Sequence, residues 1–389
     1  MVIKKINGYL LIFAIALVVV ACREVYTPPT TSSNGNNLVV EGLINSSADS
    51  TIITLSRTVK LNDSTILKPE LGAILSVEGD GGSTYNLTEL GKGKYFSVGH
   101  VLPTANKYRL RIKTGNSTYL SDYVEVKLSP PIDSLGWKAD DNQLVIYANT
   151  HDPNNKTIYY KYGYVDTWEF QTPYQSFYKS VNNVVVPRNM ITDDVHTCWQ
   201  SSVSSHVNLA SSAKLSEDVI YQAPVTTILP NSEKLSVDYS ILVKQYALTK
   251  EAFAFWTNMQ KNTEQLGSIF DAQPSQMQGN IHNVNSPAEV VVGYISVGTF
   301  SSQRIFIKKE QLPKSYFSPD VYACQTDSMW YSHPMTHGEV NDVANYIYTG
   351  LRIPLYPFGM AVVLGYVSTS PICADCTLRG INKKPTFWQ

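Results

Sequence analysis

Residues 239–307 read YSILVKQYALTKEAFAFWTNMQKNTEQLGSIFDAQPSQMQGNIHNVNSPAEVVVGYISVGTFSSQRIFI, and the rest of the chain is best understood outward from this run. YSILVKQY has the branched and aromatic side chains of a strand. Beyond it the period changes: Ala252, Phe255, Trp256, Met259, Thr263 and Leu266 recur at the three/four spacing of a helix. Thr249 stands where a hydroxyl accepts from first-turn amides, and Gly267 where a left-handed residue ends a helix. The spacing predicts a helix near 249–266, with Phe255, Trp256 and Met259 buried against a sheet. An irregular loop follows, then VVVGYIS and RIFI as the two strands of a closing hairpin.

The 389 residues are 43% hydrophobic and only 16% charged, with 25 tyrosines and a net charge of -1. That balance offers nothing to nucleic acid or to an anionic membrane surface. A Tyr- and Thr-rich chain poor in Lys and Glu favours strands. The expected fold is mainly β: two β-sandwich-like domains, the second with one amphipathic helix packed on its sheet and with long loops.

Working back to the N-terminus, Lys4 and Lys5 precede an apolar run, Leu10 to Val20, that is short for a membrane span. It ends Val19-Val20-Ala21-Cys22, the form of a bacterial lipobox, so residues 1–21 read as a lipoprotein signal peptide and Cys22 as the lipidated residue. One acyl chain holds a protein only marginally, whereas several hold it firmly. No Asp follows Cys22, which favours the outer membrane; either face is open, with Glu24 a lone acid. Residues 22–37 are rich in Pro, Ser, Thr and Gly and form a flexible tether of roughly 20 Å.

Residues 38–128 carry short alternating segments separated by turns at Asp80-Gly81-Gly82, Gly91-Lys92-Gly93 and Thr114-Gly115-Asn116. YRLRIK sets Tyr108, Leu110 and Ile112 against Arg109, Arg111 and Lys113, one dry face and one wet. This predicts an N-terminal β-sandwich domain closed by Pro130-Pro131. Residues 129–389 form a larger β-rich domain with a Cys-containing tail.

Four cysteines remain after Cys22: Cys198, Cys324, Cys373 and Cys376. An even number in an oxidising compartment points to two disulfides. The expected pairing is Cys373 with Cys376 and Cys198 with Cys324; a zinc site and a redox CxxC are the rivals. His333 and His337 are four apart, but Pro334 lies between them and no Glu completes a metalloprotease motif, so no metal site is assigned. No cofactor motif is present, nor a nucleophile elbow, P-loop or EF-hand. Asp140-Asp141 and Asp193-Asp194 are adjacent pairs, which suit turns better than acid/base work.

YYKYGYVDTWEFQTPYQSFY, residues 159–178, is the densest aromatic run. Tyr160, Tyr162 and Tyr164 share one strand face and read as core. Trp168, Tyr174, Phe177 and Tyr178 are candidate ligand or partner contacts, because flat aromatics on loops stack on sugars and proteins.

YSILVKQY, FWTNMQKNTEQLGSIFD, QPSQMQGNIH, VVGYIS and RIFI, with LVVEGLINSSADSTIITLSRT near the start and CADCTLRGINKKPTFW at the end, resemble in matching order the Bacteroidota lipoprotein family called domain of unknown function 4249. The resemblance implies an envelope lipoprotein, often encoded beside TonB-dependent receptors, and no catalytic residues. In that setting Asp49, Asp63, Asp133 and Asp327, each followed by Ser and then Thr, Leu or Met, match the phylum's O-glycosylation acceptor. The function expected is a non-enzymatic accessory or ligand-capture component of TonB-dependent nutrient uptake. It would be held to the membrane by its N-terminal lipid and partnered by the receptor. A surface adhesin or structural β-module is the alternative, and an envelope hydrolase with a scattered site a third.

Overall fold

The computed structural model describes residues 36–59, 68–264, 279–316, 322–336 and 339–388. Residues 1–35, with Cys22, and Asp63, Leu266, Gly267 and His337 lie outside the described residues.

The chain is mainly β. The first strands are β1 (Leu38–Asn45), β2 (Thr51–Arg57), β3 (Lys68–Pro69), β4 (Ile74–Gly79), β5 (Thr84–Gly91), β6 (Lys94–Ser97), β7 (Lys107–Thr114), β8 (Ser117–Ser121) and β9 (Val124–Lys127). Their alternation buries Leu75, Val77, Tyr108, Leu110 and Ile112 on one side. The predicted wet face of β7 is closed by charge: Arg109 and Arg111 both hold Glu78 on β4.

These strands do not make the expected sandwich. With β20 (Ser296–Gly298) they form a barrel-like sheet in the order β7-β4-β5-β6-β2-β1-β20-β9, which closes because β9 also pairs with β7. The closing strand β20 lies parallel to both β1 and β9 and comes from far along the chain. A further strand from that region, β19 (Ile281–Asn283), extends the sheet beside β8. Ile281, Val291, Ile295 and Val297 are therefore part of the first core, although their sequence position is far beyond Pro130-Pro131. Two glycines permit this insertion. A Cβ at Gly298 would lie 2.0 Å from the Lys127 carbonyl, and one at Gly293 (φ 137°) 2.1 Å from that of Val40.

The expected hairpin after the helix is likewise absent. β20 belongs to the barrel, whereas β21 (Phe300–Lys308) pairs with β18 (Asp238–Leu248) in a second sheet. Two adjacent strands part at Thr299, a choice that the alternation of either strand does not reveal.

The second core lies between two sheets. One contains β10 (Ile132–Ala139), β11 (Leu144–His151) and β17 (Val219–Ile228) in that order. The other runs β15 (Thr197–Val203), β12 (Tyr159–Gln171), β18, β21, with β16 (Asn208–Ser211) also on β12. Ile146, Val225 and Ile228 from the first sheet share a core with Tyr160, Tyr162, Phe170, Tyr239 and Ile241 from the second.

Helix α1 (Lys250–Glu264) matches the predicted position over its described length. The Thr249 hydroxyl accepts from the Ala252 amide at 3.2 Å. Ala252 and Phe255 are buried, while Trp256 and Met259 are half-buried on the outer face of the five-stranded sheet. Phe255 also meets Tyr294 of the segment that returns to the barrel, at 5.5 Å between rings, so α1 bridges the two bodies. The Pro130-Pro131 junction is clamped as well: buried Gln245 donates to the Pro130 carbonyl at 2.9 Å, and Ser301 Oγ donates to it at 2.7 Å.

A third, small sheet takes the order β22 (Thr326–Trp330), β24 (Gly365–Thr369), β23 (Ile353–Phe358). The hairpin β13 (Tyr178–Val181) and β14 (Val184–Pro187) packs against its core through Tyr178 and Val185.

A polar cleft with a buried ion pair

On β12 the inward positions alternate Tyr160, Tyr162, Tyr164, Asp166, Trp168 and Phe170, all buried. An acid in that register is desolvated and needs donors. Asp166, 1% exposed, has three: Lys234 Nζ, Ser202 Oγ at 2.6 Å and Tyr239 OH at 3.1 Å. Lys234 reaches it from the turn Glu233–Leu235, which is capped by Ser232. Its ammonium also lies 3.3 Å from Ser202 Oγ and 4.9 Å from the centre of the Trp168 ring. Burial, followed by the neighbouring carboxylate, raises the Tyr239 phenol above its ordinary range and keeps it a donor.

This cluster lies at a cleft of about 610 Å³. One wall is six consecutive residues, 224–229, of which 224–228 belong to β17; the other includes Tyr164, Asp166, His206 and Asn208, and Asn231, Ser232 and Lys234 complete it. Tyr164 OH and Thr226 Oγ1 join the walls at 3.0 Å. The cleft has the size of small-molecule sites, with polar groups converging on it. Among the described residues no group of three or more His, Cys, Asp or Glu is placed to hold a metal ion.

The predicted contact aromatics are dispersed. Trp168 is buried beneath Lys234, which corrects its expected role as a surface contact: its place on the inward face of β12 puts it in the core. Tyr174 is half-buried and donates to the Cys324 carbonyl at 3.4 Å. Tyr178 packs on Tyr366 at 5.6 Å between rings, and only Phe177 of the four is well exposed. The strand tyrosines lie in the core as expected; Tyr160 donates to buried Asp218 at 2.6 Å.

The cysteines form two disulfides with a different pairing from that expected: Cys198 with Cys376, and Cys324 with Cys373. Cys373 and Cys376 end and begin separate tight turns, Pro371–Cys373 and Cys376–Leu378. The Cys376 amide donates to Val195, toward β15, while the Cys373 carbonyl accepts from Tyr174. The two thiols are thus presented to different neighbours. Arg379, in the same tail, binds Glu233 beside Lys234, so the tail braces the cleft turn.

Asp140 accepts from the amides of Asn142 and Gln143, and Asp193 holds Lys179 and Arg188, so both acidic pairs serve structure. His333 stacks edge-on to Trp330 and lies 3.9 Å from Asp342. Ser50, Ser134 and Ser328, after Asp49, Asp133 and Asp327, are exposed.

None of Asp166, Lys234, Ser202 or Asn208 was singled out by motif. The signal for one was present: Asp166 breaks the apolar face of an aromatic strand.

The family model for a domain of unknown function, DUF4249, matches residues 23–304. The chain belongs to that family. The DUF4249 match covers the barrel, the cleft and α1 and ends within β21, so the small third sheet and the disulfide tail lie beyond it. No curated protein matches this DUF4249 member. Among solved structures, the Yersinia pseudotuberculosis adhesin InvE aligns at 12% identity over 55% of this chain and 57% of its own, little more than half of each. Its TM-score of 0.16 is too low to bear on fold or function.

Proposed function

We propose that this DUF4249 protein is a non-enzymatic, lipid-anchored capture module of the outer membrane, an accessory of TonB-dependent nutrient uptake. The observation that carries the reading is the cleft: an open recess of mixed lining, with a buried ion pair at its wall and braced by the tail. The two facing sheets make a sandwich-like frame for it. Cys22 with its acyl groups moors the body, and the tether gives it reach to a receptor alongside.

The test is purification from native membranes with a tag on the chain, beside growth of a deletion strain on single nutrients. A TonB-dependent receptor is expected to co-purify, and growth on at least one nutrient to fail. Recovery of the chain alone, with unimpaired growth throughout, rejects the proposal. An adhesin is the second reading, favoured by the uncharged tip 359–364, where Met360, Val362, Val363 and Leu364 are all exposed. A deletion strain that loses attachment while uptake is intact would select it.

A further inference from the structure

β17 ends its sheet: it pairs with β11 on one side and with no strand on the other among the described residues. An unpaired edge exposes main-chain donors and acceptors and is normally covered or blunted. Here the edge faces the cleft. All six residues from 224 to 229 border it, although side chains of a strand alternate in direction and Val225 and Ile228 are turned into the core. Six consecutive residues along one wall are what the edge of a main chain presents, with Thr226 also turning its hydroxyl to Tyr164.

The edge of β15 behaves differently. There Trp199 exchanges main-chain bonds with Ile381 of the disulfide-held tail, both at 2.9 Å. On β17 a register shift and Pro224, which has no N–H, blunt the start of the segment and leave residues 226–229 for pairing. Across the cleft, the buried Asn208 Nδ2 lacks an acceptor. Lys234 has three N–H donors, of which Asp166 and Ser202 use two.

We infer that the cleft takes an extended peptide, which adds as a strand to the free edge of β17. A wall of main chain with unpaired donors and acceptors is the chemistry of strand addition. The segment left for pairing is about 13 Å long, room for roughly four residues of an added strand. A glycan fits less well, since the single aromatic in the lining is Tyr164, largely buried and bonded to Thr226. The net charge of the Lys234–Asp166 pair is zero, so an anion gains little. The inference rests on reading the cleft as a capture site, not on the link to transport.

The test uses the full chain in detergent, panned against a displayed library of random peptides about twelve residues long, with an oligosaccharide array in parallel. A selected peptide is then resynthesised with one N-methyl group at each position in turn. Strand addition predicts losses of about tenfold at alternate positions, because every second amide faces the edge. On the protein side, Thr226→Pro and Thr227→Pro are compared, since adjacent amides point to opposite sides of a strand. One of the two is expected to abolish peptide binding with an unchanged circular dichroism spectrum. No enriched peptide, a methyl scan without period two, or binding of array glycans alone overturns the inference. Peptide binding without a co-purifying receptor instead rejects the transport reading and leaves this one standing.

Discussion

At Asp166 the unequal exposure of two partners sets the cost of removing each. Asp166 is buried, whereas the Lys234 side chain is 29% exposed at the cleft. Lys234→Met strands a buried carboxylate with two hydroxyl donors and is expected to cost about 3–5 kcal/mol. Asp166→Asn leaves an ammonium that turns to water and costs about 1–3 kcal/mol. Denaturant midpoints of the two variants and of the double variant, which should be milder than Lys234→Met, check the ordering. Lys161, on the opposite face of β12, presents the reverse problem. Its ammonium lies 3.3 Å from the centre of the Trp256 ring, and burial lowers its pKa to about 8, with Glu41 opposing. Because the folded value lies below the ordinary 10.5, the native state binds fewer protons than the unfolded chain between those limits. Stability from this group is therefore lowest below pH 8 and rises as pH rises toward 10.5. Lys161→Met is expected to stabilise the protein at pH 7 by about 1–2 kcal/mol, after loss of the cation–π attraction. Urea unfolding across pH 7 to pH 10.5, with and without the substitution, should show the variant's advantage over the parent shrinking as pH rises, the tyrosines contributing equally to both.

Among the elements, β20 bears the most on closure of the barrel. It fills the place between β1 and β9 with three residues, all buried, and Gly298 lets its backbone pass against Lys127. Gly298→Ala forces a Cβ onto that carbonyl and is expected to cost about 3 kcal/mol. Hydrogen exchange should then quicken in β1 and β9 more than in β11 and β17. Uniform loss of protection would show instead that the bodies unfold as one. Helix α1 is held differently: one apolar stripe, a threonine cap and a bond from Gln260 Nε2 to the Val207 carbonyl at 2.7 Å fix it on the outer face of the second sheet. Its period of three and four was therefore visible before any partner was known, whereas nothing in SVG marks three residues as the closing strand of a distant barrel.

Over the whole molecule, two cross-links hold the tail. Cys198–Cys376 joins residues 178 apart and Cys324–Cys373 residues 49 apart. In the chain-entropy account they restrict the unfolded chain by about 5 and 4 kcal/mol. Ser substitution of Cys198 and Cys376 together is expected to lower stability by about 3–5 kcal/mol. It should also free Trp388, which is buried against Trp199 and Phe306, and shift its fluorescence to the red. The same change at Cys324 and Cys373 should leave that signal in place.

Composition and local period determined by themselves that the chain is mainly β, that a helix follows Thr249 and that the tyrosines of β12 face a core, because each depends on neighbours two to four residues away. Asp166 left only a trace, an acid on an apolar face that no motif picked out, and its partners left none. Only the tertiary structure decided that the first sheet closes as a barrel, that β20 and β21 part company at Thr299, that Trp168 is buried and that Cys376 finds Cys198. Each of these joins residues tens or hundreds of positions apart. The energy of such a contact depends on which surfaces meet, a quantity that no stretch of one strand contains.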